Sequence, residues 1–389
     1  MLCVTGYITN VSTIIFYCET AKRINPDITT IAGGVHCEVC PKDFDHTAID
    51  YRVVRNATTN FTNLLNHIEH RTGLPPGILK KGDSLESISL PEFNFAMPFP
   101  DREVVSKYRN KYFYIFHKKV ALIKTSFGCP FNCSFCFCQI ITEGKYHQRS
   151  VDEVIRELET IKESEVYIVD DDFLVNAQWL ETFIEEITHH NIRKHYLVYG
   201  LADFIAANPA LMHKLFRIGL RKVIVGFESF SDTELKQYNK NTTLDIYRET
   251  MKVLRRESNI VYATIILPPY WGKRDFRNMV KVLKELKTYF INLHPITPLP
   301  KTGVSFPDDR VILYRKNYPQ WDLADISVQP TQLSVAEFYQ KILHAYNAIL
   351  YSPRVLWMYI TTYSPFKLLK MLVGGYRVEK QYRTKIKAA

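Results

Sequence analysis

Three cysteines carry the most specific chemical signal in the sequence. Cys129, Cys133 and Cys136 follow the spacing Cys-x3-Cys-x2-Cys, directly after the apolar run 120–123. Closely spaced cysteines on one loop can wrap a cubane iron–sulfur cluster through their thiolates. Three thiolates leave one iron without a protein ligand, and an open metal position is where a substrate or cofactor binds. The spacing therefore predicts a catalytic cluster.

Two other interpretations of these cysteines stay open. Cys138 lies two residues beyond Cys136, so four thiolates could form a structural zinc site. Zinc sites usually combine two ligand pairs separated by a long insert, whereas these cysteines fall close together among phenylalanines. A disulfide is favoured less than either, and Cys138 is expected to be a small packed residue.

The elements that must position these cysteines alternate regularly. Residues 1–70 predict short α/β units, and 71–115, rich in Pro and Gly at first, predict a linker. From Val120 onwards, six strand–helix repeats predict a parallel sheet with right-handed crossovers, in which function lies at the carboxyl ends of the strands. Residues 305–389 would form a C-terminal extension. The predicted strands are Val120–Lys124, Val166–Val169, His195–Tyr199, Lys222–Gly226, Val261–Leu267 and Phe290–His294.

Length and composition indicate an enzyme of a reducing compartment. The 389 residues can bury a large core and hold two or three domains. No run of 18 uncharged apolar residues occurs, and the start lacks the basic region of a signal peptide. Eight cysteines without a secretion signal predict a cytoplasmic location.

The net charge of +10 raises the question of an anionic partner. The basic residues are spread along the chain, with a local excess only near 367–387, so we expect no nucleic-acid partner. A solvated basic tail is favoured there over attachment to a membrane surface, which only the apolar residues between 356 and 371 indicate.

The cysteine spacing, with an aromatic residue just before the third cysteine, resembles the signature of the radical S-adenosylmethionine (SAM) enzymes. The resemblance covers about residues 115–300 and implies a partial (β/α)6 barrel, here 116–304. It implies that Cys129, Cys133 and Cys136 hold a [4Fe-4S] cluster whose open iron binds SAM, with the backbone near Phe135 against the adenine. It also implies reductive cleavage of SAM to a 5′-deoxyadenosyl radical, with an electron donor such as flavodoxin or ferredoxin.

Further motifs resemble the branch of this superfamily that carries cobalamin-binding domains. They are Val169-Asp170-Asp171-Asp172-Phe173, Gly226-Phe227-Glu228-Ser229 and the Pro-rich segment 298–303. The resemblance implies that Asp170, Asp171, Glu228 and Ser229 bind SAM, since carboxylates accept hydrogen bonds from ribose hydroxyls or an amino group. The alternatives are a helix-capping role for the aspartates and a structural role for Glu228.

The N-terminal region resembles an incomplete Rossmann-like cobalamin-binding domain. Gly33 and Gly34 would let the backbone approach the nucleotide tail of cobalamin. The first strand of that domain and its Asp-x-His-x-x-Gly loop are absent, and Arg55–Thr59 replaces the usual Gly-Glu-Gly-Glu. His36 as a metal ligand and zinc binding at Cys37-x2-Cys40 are minor alternatives.

These features predict a radical SAM enzyme that abstracts hydrogen, with cobalamin-dependent C-methylation of a natural-product or lipid-like small molecule as the favoured reaction. The alternatives are a cobalamin-free radical SAM oxidoreductase or rearrangement catalyst, and a non-catalytic cluster-binding partner subunit. Tyr199, Tyr270 and His294 are candidates for facing the substrate, with ordinary packing as their alternative.

Overall fold

The computed structural model describes residues 1–114, 117–257 and 260–389. The N-terminal elements are β1 (Leu2–Thr5), α1 (Val11–Ile24), β2 (Thr30–Gly33), α2 (Val35–Val39), β3 (Tyr51–Val53), α3 (Ala57–His70) and β4 (Ile78–Lys80). The middle of the chain forms β5 (Phe113–Tyr114), β6 (His117–Lys118), β7 (Val120–Ile123), β8 (Ser126–Phe127), α4 (Cys138–Thr142), β9 (His147–Gln148), α5 (Val151–Thr160), β10 (Glu165–Ile168), α6 (Ala177–His189), β11 (His195–Tyr199), α7 (Ala202–Ala207), α8 (Pro209–Arg217), β12 (Leu220–Glu228), α9 (Asp232–Gln237), α10 (Leu244–Arg256), β13 (Ile260–Leu267), α11 (Lys273–Glu285) and β14 (Phe290–Pro295). The C-terminal part forms α12 (Val335–Leu350), α13 (Pro353–Thr362) and α14 (Pro365–Ala388). Short 3-10 helices lie at Ile8–Asn10, Pro41–Phe44, Leu85–Ser87, Glu103–Lys111, Asp308–Arg310 and Arg315–Gln320.

The chain divides into two compact units. The first unit comprises Met1–Asp101, Phe127–His147 and Thr297–Ser327, and the second comprises Arg102–Ser126, Gln148–Ile296 and Val328–Ala389. The cysteine-bearing segment therefore groups with the N-terminal residues, although it lies within the predicted barrel stretch along the chain. The compact units are made of discontinuous segments, whereas the predicted domains are continuous stretches of the chain. The predicted domain boundaries therefore stay a prediction.

The second unit contains a six-stranded sheet in the order β14-β13-β12-β11-β10-β7, in which every neighbouring pair is parallel. Its strands follow chain order, with helices between them, which confirms the predicted α/β fold with six strand–helix repeats. These strands are apolar on both faces: Val223 and Val225 are fully buried on one side, and Ile224 is buried on the other.

Local signals fix where the helices of the second unit begin. Ser150 accepts a hydrogen bond from the Glu153 amide at 3.3 Å, and Ser334 accepts one from the Glu337 amide at 3.2 Å. These side chains satisfy amide groups that the first turn of a helix leaves without a partner. The predicted Ser-x-x-Glu start of α5 is thus present in the structure.

The first unit contains a four-stranded sheet in the order β1-β2-β3-β4, with β1 at one edge and β4 antiparallel to β3. Strand β4 lies in the stretch interpreted as a linker from its Pro and Gly content. That composition instead forms a tight turn, in which Gly77 has a φ of 82°, leading into the buried residues Ile78 and Leu79. The linker interpretation therefore missed a strand.

Among the residues that the structure describes, no helix combines the length and apolar character that crossing a bilayer requires.

Candidate active site

The cysteine loop lies between β8 and α4, and its three predicted ligands are half-buried. The Cys136 amide donates a hydrogen bond to the Cys133 carbonyl at 3.0 Å, which closes a turn between the second and third cysteine. Cys138 is already the first residue of α4. Three thiols on an irregular, partly accessible loop are a donor set that fits a [4Fe-4S] cluster with one iron left open.

Gly128 determines how the cysteine loop starts. Its φ is +76°, and a Cβ atom there would clash with the Lys145 carbonyl oxygen and lie 2.7 Å from Thr142 Oγ1. Only glycine allows the backbone before Cys129 to pass so close to the end of α4. The loop is further fixed by the Gln139 side-chain amide, which donates to the Phe131 carbonyl.

The Pro-rich segment 298–303 packs directly on the cysteine loop. The Gly303 amide donates to the Ser134 carbonyl at 2.8 Å, and a Cβ atom on Gly303 would lie 3.1 Å from the same oxygen. A larger residue at 303 would push the segment away from Ser134, which lies between two of the cysteines. The segment that follows the sixth barrel strand therefore supports the loop that follows the first.

Arg55 supports the far end of the cysteine loop. It pairs with Glu143, which follows α4, and its guanidinium lies 3.8 Å from the centroid of the Phe93 ring. Phe95 stacks on His147 at 5.0 Å and lies 5.6 Å from Phe127, so aromatic rings pack against both ends of the loop. Arg55 stands where the resemblance has an acidic motif, and the structure gives it this supporting role.

Asp170 is buried at the end of β10 and faces the residues that precede the cysteines. Its carboxylate accepts hydrogen bonds from the Thr125 amide at 2.6 Å, from the Thr125 hydroxyl, and from Ser126 Oγ at 2.9 Å. Burial raises the pKa of Asp170, while these donors oppose the shift. Its predicted contact with SAM stays a prediction, and its observed contacts are those of a positioning residue.

Asp172 is the buried carboxylate of this motif with unused hydrogen-bonding capacity. Its Oδ1 accepts from the Leu174 amide at 3.0 Å, whereas its buried Oδ2 has no hydrogen-bond partner among the described residues. Burial raises the pKa of Asp172 to about 8. Asp171 is only half-buried. An orphaned oxygen of this kind fits a group that awaits a donor from a ligand.

Glu228 ends β12 in a strained conformation. Its φ is +59°, a left-handed value that is costly for a residue with a side chain, and the strand register shifts between Gly226 and Glu228. Its carboxylate folds back over Gly226, where any Cβ atom would clash with Glu228 Oε1. Lys240 lies 3.5 Å from that oxygen and donates to the Gly226 carbonyl at 2.7 Å.

Burial raises the pKa of Glu228, and the nearby Lys240 ammonium opposes the shift. A backbone strained at a strand end, with a carboxylate re-aimed by a bulge, is an arrangement that occurs at functional sites. These features favour the functional interpretation of Glu228 over the structural one.

Ser229 is fully buried in a network of its own. Its hydroxyl donates to Glu234 Oε2 and accepts from the Ser231 amide at 3.0 Å, and Glu234 Oε1 accepts from Trp271 Nε1 at 2.7 Å. The network holds α9 against the residues that follow β12. The predicted binding of SAM by Ser229 remains a prediction.

The glycine pair of the N-terminal sheet has two different surroundings. A Cβ atom on Gly34, whose φ is +95°, would lie 2.9 Å from both the amide nitrogen and the carbonyl oxygen of Gly6, so this glycine is needed for packing against the end of β1. A Cβ atom on Gly33 would lie in ordinary van der Waals contact with Val53, at 3.7 Å, so no clash requires a glycine there. Their predicted contact with cobalamin is not tested by these distances.

His36 is buried and already hydrogen-bonded. Its Nε2 lies 2.9 Å from Asp43 Oδ2, and its ring packs edge-on against Phe44 and Tyr318. His36, Cys40 and Asp43 bring three ligand atoms within 4.8 Å of one another. However, Arg315 lies 3.3 Å from Asp43, which places a cation where a metal would need negative charge. The cluster is therefore explained as a buried His–Asp pair.

The predicted substrate-facing residues differ in their surroundings. Tyr199 and Tyr270 are exposed, and His294 is half-buried. Tyr199 lies 6.2 Å from the ring of Tyr167, which packs at 4.8 Å against Tyr114. Aromatic residues thus collect on the face of the large sheet that carries Tyr199.

Reasoning from the sequence predicted no supporting role for three residues: Thr125, Lys240 and Arg55. Thr125 gives no distinctive pattern before Ser126, and Arg55 appears only as a departure from a motif. Lys240 ends the polar stretch 231–240, and only the structure shows that it is 8% exposed and lies beside a carboxylate.

Comparison with known proteins agrees with this geometry. Residues 123–283 match the model of the Radical SAM superfamily. The chain is 26% identical over 357 residues to a hopanoid C-3 methylase of Methylococcus capsulatus, covering 90% of the chain and 68% of the methylase. It is 24% identical over 266 residues to an anaerobic magnesium-protoporphyrin IX monomethyl ester cyclase of Rubrivivax gelatinosus, covering 64% of the chain but only 47% of the cyclase.

Among solved structures, the chain resembles the radical SAM methyltransferase TsrM of Kitasatospora setae with cobalamin and a [4Fe-4S] cluster bound. The TM-score is 0.62 at 15% identity, over 90% of this chain and 78% of that one. The likeness at this identity concerns the fold.

The fold, the three-cysteine loop and the superfamily match together define an enzyme of the radical SAM class. As predicted, the fold also resembles that of a cobalamin-binding radical SAM methyltransferase. The superfamily match also confirms a [4Fe-4S] cluster and SAM as the expected cofactors. A non-catalytic partner subunit is correspondingly disfavoured.

Proposed function

We propose that this protein is a cobalamin-dependent radical SAM C-methyltransferase whose substrate is a lipid or a similarly apolar natural product. The observation that carries the proposal is the similarity to a hopanoid C-3 methylase, which extends over 90% of the chain. A match of that extent reaches well beyond residues 123–283, so the likeness is not confined to the stretch that the superfamily model matches.

When bound, the [4Fe-4S] cluster supplies the electron that cleaves SAM. The residues of this chain hold and orient the reactants. Cys129, Cys133 and Cys136 are the proposed cluster ligands, and the carboxyl groups of Glu228 and Asp172 are the proposed acceptors for the ammonium or ribose donors of SAM. The Lys240 ammonium opposes the rise in the pKa of Glu228 that burial causes, and Asp170 holds the chain in place before the cysteines.

Cobalamin would bind at the carboxyl ends of the parallel strands β1, β2 and β3, where α/β sheets of this type bind nucleotides. Gly33 at the end of β2 supports this placement, since a backbone without a side chain can approach a ligand closely. The ring of His36 is hydrogen-bonded to Asp43, so we propose that His36 does not ligate cobalt.

We further propose that the enzyme works in a reducing cytoplasm with a flavodoxin or ferredoxin as electron donor. The support is that the thiols must remain reduced to bind iron.

The test is a methyl-transfer assay with label in the methyl group. Anaerobically reconstituted protein is incubated with a reductant, hydroxocobalamin, deuterated-methyl SAM and a hopanoid, and the products are analysed by mass spectrometry. We expect a product that carries the deuterated methyl group only when cobalamin is present, and none with Cys133→Ala. Formation of 5′-deoxyadenosine without methylated product, at every cobalamin concentration and with a panel of lipids, would contradict the proposal.

A second function is favoured by the similarity to the magnesium-protoporphyrin ester cyclase. Under this alternative, the protein abstracts hydrogen and closes or rearranges a ring without cobalamin. The two functions differ in one readout, because only the methyltransferase gives a product heavier by a methyl group that comes from SAM.

A further inference from the structure

The two C-terminal helices expose large apolar side chains to an unusual degree. The exposed fractions are 68% for Trp357 on α13, and 64% for both Phe366 and Tyr376 on α14. Soluble proteins scatter such residues singly, whereas a contiguous group of them marks an interaction site. Both helices are held in place by α12, so this exposure belongs to packed helices and not to a frayed end.

One continuous row of exposed residues runs along α14. Its members are spaced alternately three and four residues apart, and residues with this spacing lie on one face of an α-helix. Its members are Phe366, Leu369, Val373, Tyr376, Lys380, Arg383 and Lys387, all exposed. The first half of the row is apolar and the second half is basic. Tyr382, on another face, packs at 5.9 Å from Tyr346 of α12.

Charge on α14 is strongly one-sided. The 24-residue helix carries seven basic residues and the single acidic residue Glu379. It therefore supplies more than half of the net charge of +10. Glu379 is paired with Arg383 at 2.6 Å, so the acidic group is already neutralised locally.

We propose that α13 and α14 bind the surface of an anionic lipid bilayer. Aromatic and aliphatic side chains would enter the interface between headgroups and acyl chains, and the basic residues would meet anionic headgroups. A second copy of this chain fits poorly on the same face, because the seven basic residues of one α14 would repel the seven of the other. The proposal rests on these two helices alone and is independent of the reaction that the enzyme catalyses.

Trp357 provides a direct readout. The other tryptophans are buried or half-buried, so the change in emission on binding would come mainly from Trp357. Vesicles of phosphatidylcholine containing phosphatidylglycerol should shift the emission of the full chain to the blue and protect it from acrylamide. Vesicles of phosphatidylcholine alone should do neither, and Trp357→Phe should lose the shift but still co-sediment with the anionic vesicles.

The charge requirement is tested with two triple variants of equal net charge. Lys370→Gln/Lys380→Gln/Lys387→Gln should lower the partition coefficient onto anionic vesicles by about a hundredfold, since each basic residue near such a surface contributes separately. The matched control is Lys162→Gln/Lys252→Gln/Lys281→Gln, which removes three exposed lysines from other helices or loops of the same unit. The control should bind within about twofold of wild type.

The apolar requirement is tested by Phe366→Ser/Leu369→Ser, against Ile24→Ser as an exposed apolar control from α1. We expect the double variant to bind about tenfold or more weakly, and the control to bind like wild type. Equal binding to neutral and anionic vesicles, equal losses in both lysine triples, or no binding at all would each overturn the proposal. So would a dimer in analytical ultracentrifugation that Phe366→Ser/Leu369→Ser dissociates, because that result would assign the face to a second copy.

Discussion

At the scale of single residues, the three predicted cluster ligands differ from the fourth cysteine in their setting. Cys129, Cys133 and Cys136 lie on the loop, whereas Cys138 begins α4. We expect Cys129→Ala, Cys133→Ala and Cys136→Ala each to lose the cluster, because each removes one of three protein ligands. Iron content and the ultraviolet–visible spectrum after anaerobic reconstitution measure this. Cys138→Ala should keep its iron, and loss equal to that of Cys136→Ala would assign Cys138 as a ligand.

Glu228 offers a test of SAM binding that leaves the cluster in place. Glu228→Gln keeps the shape of the side chain but removes the charge available to SAM donors. Since hydrogen bonds to charged groups contribute roughly 1.5–3 kcal/mol, SAM affinity should fall by about ten- to a hundredfold in calorimetric titration. The exposed Glu249→Gln serves as a control.

Gly226→Ala gives an independent check on the same carboxylate. Its Cβ atom would clash with Glu228 Oε1 and so displace the carboxylate without changing its charge. We expect a comparable loss of SAM affinity. Wild-type affinity in both Glu228→Gln and Gly226→Ala would return Glu228 to a structural role.

Asp172 makes a prediction about pH. Burial raises its pKa from 3.8 to about 8, so the folded protein keeps a proton at neutral pH that the unfolded chain has released. The carboxyl group therefore lowers stability progressively as the pH rises from about 4 to about 8. Asp172→Asn should raise the free energy of unfolding by roughly 1–3 kcal/mol near pH 8 and change it little near pH 4.

Denaturant unfolding of the protein without cofactors at both pH values measures the effect of Asp172→Asn. The same variant should bind SAM more weakly. A residue whose replacement stabilises the protein but weakens ligand binding has been retained for function. A stability change of equal size at both pH values would show that the charge of Asp172 is not its cause.

At the scale of elements, the fold of the cysteine loop depends on Gly128. Gly128→Ala should abolish cluster assembly although all three cysteines remain, because its Cβ atom would clash with the Lys145 carbonyl. Gly144→Ala is a matched control: it has a similar φ of +75°, but no atom lies within 4 Å of the added Cβ. Iron loading should be lost in the first variant and largely retained in the second. Equal loading in both would show that the close approach at Gly128 is dispensable.

Strand and helix positions were largely predictable because both faces of the sheet bury apolar side chains. The stretch His195–Tyr199 was predicted with the bounds that the structure shows, and the other five strands of the large sheet differ at their ends by one or two residues. Strand β4 was missed because only two buried residues mark it, and the Pro–Gly turn before it has the composition of a linker.

At the scale of the whole molecule, cobalamin binding is the open question. The backbone at Gly33 carries no side chain that would keep a nucleotide tail away, while the His36 ring is hydrogen-bonded to Asp43. We expect weak binding without a protein nitrogen on cobalt. The measurement is anaerobic equilibration with hydroxocobalamin and gel filtration, followed by electron paramagnetic resonance of the cob(II)alamin form.

Tight stoichiometric binding of cobalamin, with nitrogen splitting from a protein histidine, would contradict this expectation. His36→Ala would then be the first variant to examine, with His46→Ala as a control from the loop that follows in sequence. Complete absence of retained corrinoid would favour the cyclase-like alternative over methyl transfer.

The sequence by itself determined the class of chemistry, because a cluster ligand set depends on residue types at fixed spacing within one loop. It also determined the alternation of strands and helices, since burial on both faces of a sheet is written in local apolar runs. Only the tertiary structure showed which buried carboxyl groups already accept hydrogen bonds from neighbouring residues. Asp170 is saturated by Thr125 and Ser126, whereas Asp172 has a buried oxygen without a partner among the described residues. Only the structure likewise revealed the exposed row on α14, because exposure depends on what packs against a helix and not on the residues of the helix itself.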